Sequence, residues 1–507
     1  MSKTAPQTSA GVARNAVYGA LTWVLPLLLS LAATPIIVRA LGIETYGIYA
    51  LVLGLVGYSF NFGIGRAATK YIAEYRINNE FEKINSVVSA TLFLSVGFGL
   101  AGVILLALLA RPLVDDVLLI EAGSREQAVT AIYIASLIVL VTSINQVFGS
   151  IIQGLQRFDV YSKLFNANSF ALLIGNMVLA LMGFGLSGLL TWNLVTLTLS
   201  TLAFAILAKR LLPELHIGIA GARVSLRLVS VYSLGIVGYQ VLANSLLLFE
   251  RGWITRVLGS ESLTYYAVAM SIGVYIQGFS ASLTLLLSPL TSETERNSSR
   301  MASIYQRATR LVSVFVLFMS LMVIVGAEQF LTLWLGADFA ARAELLLILH
   351  TITFAFVSVT GVSWMMREGL GVPSHNFYIF IACFVVAMAL MITLVEPYGS
   401  TGVAVARLIG FSLMFLSIRF FEAWLFGSML TRFWLRLLAH LGVAGAAAAV
   451  GQWAVLNYLS LSWPVFVLSV AFAGVIYVAM LLALGFLSSD EKLLIRRMVL
   501  RRSSDDY

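Results

Sequence analysis

The sequence predicts an all-α membrane protein of about 14 transmembrane helices: two parallel six-helix repeats around a central cavity, plus a C-terminal helix pair. Three observations predict it. Of 507 residues, 60% are hydrophobic and only 11% charged, with mean hydropathy +0.94; soluble domains are about half apolar and about a quarter charged. The apolar residues fall in unbroken runs near the ~20 that one helical bilayer crossing requires. A short loop motif also recurs at an offset of 217 residues. A water-soluble globule of this composition would expose apolar patches too large to stay dissolved, which excludes a cytosolic enzyme, a nucleic-acid-binding protein and a secreted disulfide scaffold.

In chain order the predicted spans are 15–38, 46–65, 84–109, 127–150, 162–183, 188–208, 230–254, 262–287, 308–326, 341–365, 376–395, 401–422, 437–458 and 465–487. The runs are too long and continuous for outer-membrane barrel strands, which alternate over about ten residues. The first run is too long for a signal-peptide core and has no small-residue cleavage site before it, so it is predicted to be a retained span. Pro26 and Pro35 within it predict a kink. Cys383 is the only cysteine, and His216, His350, His375 and His440 are far apart without metal-ligand spacing. No cofactor and no metal are expected.

Net charge is +8, but the basic residues lie between apolar runs rather than on one compact face. With the N-terminus inside, 25 of the 32 Lys and Arg fall on cytoplasmic segments, from Lys3 and Arg14 to Lys492, Arg496, Arg497, Arg501 and Arg502. The positive-inside rule then predicts a multi-pass protein of the cell inner membrane with both termini cytoplasmic.

Arg39-Ala-Leu41-Gly42-Ile-Glu44 recurs as Arg256-Val-Leu258-Gly259-Ser-Glu261, and at the same offset Tyr49 matches Tyr266 and Ala50 matches Ala267. Gly185-Leu-Ser-Gly188 is echoed by Gly399-Ser-Thr-Gly402 at an offset of 214. Six predicted spans separate the copies, and an even number preserves orientation, so the repeats should be parallel and related by an axis along the membrane normal. The expected divisions are 1–215 and 216–430 for the two six-helix lobes, 431–487 for two additional helices, and 488–507 for a basic cytoplasmic tail.

The Leu41-Gly42-x-Glu44-x-x-Gly47-x-Tyr49-Ala50 loop resembles the start of oligosaccharide (O-antigen and exopolysaccharide) flippases of the multidrug/oligosaccharidyl-lipid/polysaccharide exporter superfamily. So do Asn61-Phe-Gly63-Ile-Gly65-Arg66-Ala-Ala-Thr-Lys70-Tyr-Ile-Ala-Glu74, Gln153-Gly154-Leu155-Gln156-Arg157, and Trp334-Leu335-Gly336 with Phe339. Asn61 stands where many relatives carry an acid. The resemblance covers about residues 10 to 425. It implies a transporter, not an enzyme, that moves a polyprenyl-pyrophosphate-linked oligosaccharide from the cytoplasmic to the outer leaflet for polysaccharide biosynthesis. It also implies a coupling cation (proton or sodium ion) and, as partners, a polysaccharide polymerase and assembly proteins, with no nucleic acid.

A sugar pyrophosphate cannot cross hydrocarbon unsolvated, so a hydrated cationic cavity is required, and ionisable groups within spans are its first candidates. Arg251 in the seventh span and Arg407 in the twelfth suit bidentate phosphate contacts. Arg66 and Lys70, one helical turn apart on one face, are candidates to receive the headgroup as it enters. His350 and Glu250 are candidates for ion coupling. Arg39 and Arg256, beside Glu44 and Glu261 with Gly42 and Gly259 in the turns, read as a salt bridge or loop clamp. Glu368, Glu396 and Glu422 are placed at helix ends, leaving no acid clearly at mid-span. That absence disfavours one alternative, a multidrug/cation antiporter, because organic cations favour acidic or aromatic pockets. A peptidoglycan lipid-precursor flippase is a second alternative. A membrane glycosyltransferase or polymerase is a third, disfavoured by the short loops.

Overall fold

The computed structural model describes residues 9–59, 65–284, 287, 298–370, 372 and 374–486, with the backbone alone at 9–24, 58–59, 232–240 and 298–299. Asn61 and the tail beyond 486 lie outside the described residues. The helices are α1 (Ser9–Leu41), α2 (Ile43–Ser59), α3 (Gly65–Ile77), α4 (Phe81–Pro112), α5 (Arg125–Gly154), α6 (Phe158–Leu181), α7 (Gly185–Leu211) and α8 (Ile219–Thr284). After these come α9 (Ser298–Val325), α10 (Ala327–Leu335), α11 (Ala337–Gly369), α12 (Ser374–Ser412), α13 (Met414–Phe426), α14 (Thr431–Tyr458) and α15 (Trp463–Ala483). Among the described residues there is no strand. Backbone groups in hydrocarbon must be satisfied within the segment, and helices do this.

Among the described residues ten helical runs are long and apolar enough to cross a membrane, and Leu25–Leu41 and Ile43–Gly57 are shorter apolar helices. Leucines such as Leu108 and Leu181, 73% and 71% exposed, would be liabilities in water and are ordinary against lipid. Among the described residues the predicted boundaries change in two places. Residues 60–64 of the predicted second span lie outside the described residues, and beyond them Gly65–Ile77 buries Ala67, Ala68, Tyr71 and Ile72 and exposes Arg66, Lys70 and Glu74. The spans expected at 230–254 and 262–287 fall in one run, α8, broken at Gly259, and those at 376–395 and 401–422 fall in α12, broken at Gly399, with the second continuing into α13. Short α10, ending at Gly336, was not anticipated.

The chain divides into two compact units. The first comprises Met1–Val268 with Phe380–Gly410; in it α5 packs on α4 and α7, and α1 on α6. Its core includes Ile72, Ile84, Val87, Val88, Ile151 and Val229. The second comprises Ala269–Ile379 with Phe411–Tyr507; in it α11 packs on α9, α10 and α13, and α14 on α15 and α9. One cluster there gathers Met301, Tyr305, Val362, Met366 and Phe421; another gathers Met322, Leu437, Leu441, Ala473 and Tyr477.

The repeat is written into the backbone. Gly42 and Gly259 both adopt φ +82°, a left-handed conformation that side chains resist, and Gly185 and Gly399 adopt φ +64° and +59°. Helix α5 ends with Leu155 at φ −74°, ψ 1°, and the Arg157 amide donates to the Ile152 carbonyl at 3.0 Å. Helix α11 ends the same way 215 residues later: Leu370 is at φ −81°, ψ 1°, and the Val372 amide donates to the Arg367 carbonyl at 3.0 Å.

Candidate functional site

In the first unit, two helix breaks bring together the two parts of α8 and the later part of α12. Gly259 turns α8 so that Glu250 precedes the break and Tyr266 follows it, and Gly399 sets the stretch of α12 that carries Arg407. Nη1 of Arg407 donates to Oε2 of Glu250 at 2.5 Å, with side chains only 6% and 1% exposed. The buried Tyr266 hydroxyl lies within electrostatic reach of both partners. Two charges removed from solvent must neutralise one another, because each alone would cost several kcal/mol (on the order of 5) to bury. Glu250, named from the sequence as a candidate for ion coupling, is thus a carboxylate buried well inside α8.

Arg251 is half-buried next to it. Its stem lies over Gly54 of α2, where a Cβ would stand 2.7 Å from Cδ of Arg251, and its guanidinium donates to the Ala50 carbonyl. Gly54 thus leaves the groove that the arginine occupies. One helical turn nearer the start of α2, Tyr49 receives hydrogen bonds from Asn176 at 3.3 Å and Asn193 at 3.4 Å. The repeat offsets place Tyr49 opposite Tyr266 (217), Asn193 opposite Arg407 (214) and Ala33 opposite Glu250 (217). Each copy thus sets a buried tyrosine against a polar group of its sixth helix, and the second copy replaces alanine and asparagine by an ion pair. Asn176 and Asn193 were missed in the sequence; a buried amide within an apolar run was the available signal.

The loop residues act as braces. Glu44 accepts the Ser124 hydroxyl at 2.7 Å, Glu261 accepts the Tyr265 hydroxyl at 3.2 Å, and Arg256 Nη1 donates to the carbonyls of Asp116 at 2.8 Å and Val117 at 2.7 Å. Arg39 is exposed at the end of α1. Arg66 and Lys70 share the exposed face of α3, with Lys70 Nζ 4.7 Å from the centre of the Tyr71 ring. On the same helix, Arg76 donates to the Leu155 carbonyl, tying α3 to the turn after α5.

In the second unit, His350 is fully buried in α11, and its carbonyl and Phe354 press on Gly273 of α8. Two further charges in this unit are buried. Arg367, expected on a cytoplasmic segment, is 1% exposed; its guanidinium donates to Asn376 Oδ1 at 2.6 Å, to the Ser417 carbonyl at 3.0 Å and to Ser417 Oγ at 3.1 Å. Glu422, expected at a helix end, lies one turn before the end of α13, is fully buried and accepts from Tyr305 at 2.8 Å, Trp434 Nε1 at 2.7 Å and the Leu430 amide at 2.7 Å. A lone carboxylate inside the apolar Met414–Phe426 helix was the signal. Three charge-assisted bonds hold it in place, so it reads as a staple of α9, α13 and α14.

The family model described as "Polysaccharide biosynthesis protein" matches residues 36–344. A putative O-antigen transporter of Shigella flexneri is 21% identical over 410 residues, 78% of this chain and 94% of that protein. The fold is similar to that of lipid II flippase MurJ in an inward closed conformation, with TM-score 0.72 and 12% identity over 92% of this chain and 97% of that one. It is also similar to an inward-facing multidrug resistance MATE family transporter of the MOP superfamily, with TM-score 0.65 and 17% identity over 81% and 98% of the two chains.

Proposed function

The chain belongs to the polysaccharide biosynthesis protein family, and from that premise we propose that it flips a polyprenyl-pyrophosphate-linked oligosaccharide from the cytoplasmic to the outer leaflet. The observation that carries this reading is the buried Arg407–Glu250 pair beside Arg251, an arrangement of guanidinium groups set on broken helices. Arginine offers planar, bidentate donors that fit phosphate oxygens. When Arg407 is held by Glu250 its charge is cancelled. When a pyrophosphate reaches it, the anion competes for the guanidinium and the carboxylate is released to take up a proton or a sodium ion. Substrate and coupling ion then act on one pair, which makes Glu250 the coupling residue and leaves His350 as a packed neighbour of Gly273.

The repeated turns support two lobes, 1–215 and 216–430, that tilt in alternation, followed by the helix pair 431–487. Counting each broken run as two crossings and adding α1 and α2 gives fourteen helices, an even number that keeps both termini on the cytoplasmic side. Arg66 and Lys70, on an exposed helix face at the inner end of the second span, receive the headgroup. The O-antigen transporter relative favours a surface glycan as cargo.

The test is deletion of the gene in its host, with lipid-linked oligosaccharide followed in each leaflet. Accumulation on the inner leaflet with loss of surface glycan is expected, restored by the wild-type chain and not by Arg407→Ala. Unchanged surface glycan with disturbed peptidoglycan synthesis would instead select the peptidoglycan precursor as cargo.

A further inference from the structure

A second basic site lies in the second unit, where the start of α9, the start of α14 and the end of α15 meet. A cavity of about 620 Å³ opens there, within the range of small-ligand sites. It is lined by Arg310, Arg432, Arg436, His440, Gln306 and Phe486, among others, and none of the described residues that line it is acidic. The Arg310 guanidinium is stacked over the Phe486 ring at 5.6 Å, and the His440 ring lies 5.9 Å from the same ring. Phe486 therefore aligns two of the basic groups while Arg432 and Arg436 stand exposed one helical turn apart on α14. Gathering three arginines in one concavity raises their mutual repulsion, and an anion relieves it.

The surroundings point to the kind of anion. Beside the basic rim Phe433 and Leu437 line the cavity, and Leu437 is buried in one apolar cluster with Leu441 and Leu481. On the same turns Leu435, Leu438 and Leu482 are 64%, 62% and 51% exposed, so hydrocarbon meets the protein beside the charged mouth. Basic pockets between membrane helices are suited to phosphate-bearing headgroups. All three arginines fall in segments that the charge distribution assigns to the cytoplasmic side.

We propose that this cavity is a phosphate-binding site, with the headgroup of an anionic phospholipid as the ligand its surroundings favour. The site uses none of the residues assigned to transport, so it stands or falls separately from the flippase reading.

The test uses the full chain purified in detergent, with native mass spectrometry during titration with palmitoyl-oleoyl-phosphatidylglycerol or the matching phosphatidylcholine. A parallel arm follows thermal melting with inorganic phosphate against chloride at equal ionic strength. The wild type is expected to retain phosphatidylglycerol over phosphatidylcholine, and Arg432→Gln/Arg436→Gln to weaken that retention about tenfold. The charge-preserving Arg432→Lys/Arg436→Lys restores part of it, and Arg419→Gln, an exposed arginine away from the cavity, leaves it intact. Selective lipid retention without phosphate protection assigns the lipid as the source, and protection by phosphate alone assigns a free phosphate; both support the site. Equal retention and equal melting in the wild type and the double Gln variant would overturn it. Arg436→Gln alone serves if the double variant folds poorly.

Discussion

Gly47 and Thr264 are the same step of the two repeats, and they touch one another. A Cβ at Gly47 would lie 3.0 Å from Oγ1 of Thr264 and 1.8 Å from the Ser260 carbonyl oxygen, while that same Oγ1 donates to the Ile43 carbonyl. Since 43 is equivalent to 260 and 47 to 264 at the offset of 217, the contact is self-complementary: residue i meets j′ as j meets i′. That reciprocity is the signature of a twofold relation, and the local axis passes between α2 and the second part of α8. Small residues let membrane helices approach this closely.

Gly47→Ala is expected to destabilise the protein by about 1–3 kcal/mol, because the added methyl meets a backbone carbonyl that has no rotamer to escape into. Gly97→Ala, where nothing lies within 4 Å of the new Cβ, is the matched control and should melt like the wild type. Thermal melting in detergent compares the two; equal melting of both variants would contradict the close approach.

The backbone of the repeat was legible in the sequence because left-handed turns restrict what can occupy them. Gly42 and Gly259 recur for that reason, and so do Gly185 and Gly399. The pairing of Arg407 with Glu250 was not legible. The two are 157 residues apart, and whether two helices turn these side chains toward each other depends on breaks whose bend angles leave no trace in residue spacing. Tyr49 and Tyr266 stood out as identities, but their partners Asn193 and Arg407 differ in chemistry, so identity matching passed over them. Glu422 was placed at a helix end, and it lies one turn before its helix closes at Phe426; spacing did not reveal that it is buried against Tyr305 of α9 and Trp434 of α14.

Removing one partner of the buried pair leaves the other charge stranded, so Glu250→Ala and Arg407→Asn should each cost about 3–5 kcal/mol. Together they recreate the first repeat, where Ala33 and Asn193 stand at these steps, and most of that loss should be recovered. Transport should fail in all three variants. Melting and surface glycan display, measured on the same strains, separate the two roles. A double variant that regains glycan along with stability would make the pair purely structural.

Gly54 gives a route to Arg251 that leaves the arginine in place. Its Cβ position is 2.7 Å from Arg251 Cδ and 3.1 Å from Nε, so Gly54→Val should push the stem aside and detach the guanidinium from the Ala50 carbonyl. Surface glycan is expected to fall as far as in Arg251→Ala, with membrane insertion and expression unchanged. Normal glycan in Gly54→Val together with loss in Arg251→Ala would mean that the charge matters and its position does not.

Glu422 should be the stability anchor of the second unit, with little bearing on transport chemistry. Hydrogen bonds to a charged group contribute about 1.5–3 kcal/mol each, so Tyr305→Phe should lower stability by roughly that amount and Trp434→Phe by a similar one. Glu422→Ala removes the acceptor for both side chains and for the Leu430 amide, leaving one buried and two part-buried donors unsatisfied, and should cost more than either single change. Glu422→Gln keeps an acceptor oxygen and loses the charge, which places it between Tyr305→Phe and Glu422→Ala. The ordering is what melting in detergent tests, with residual flipping in proteoliposomes measured below each variant's own transition. If Glu422→Gln melts like the wild type yet abolishes flipping under those conditions, the carboxylate acts in transport and its assignment as a staple fails.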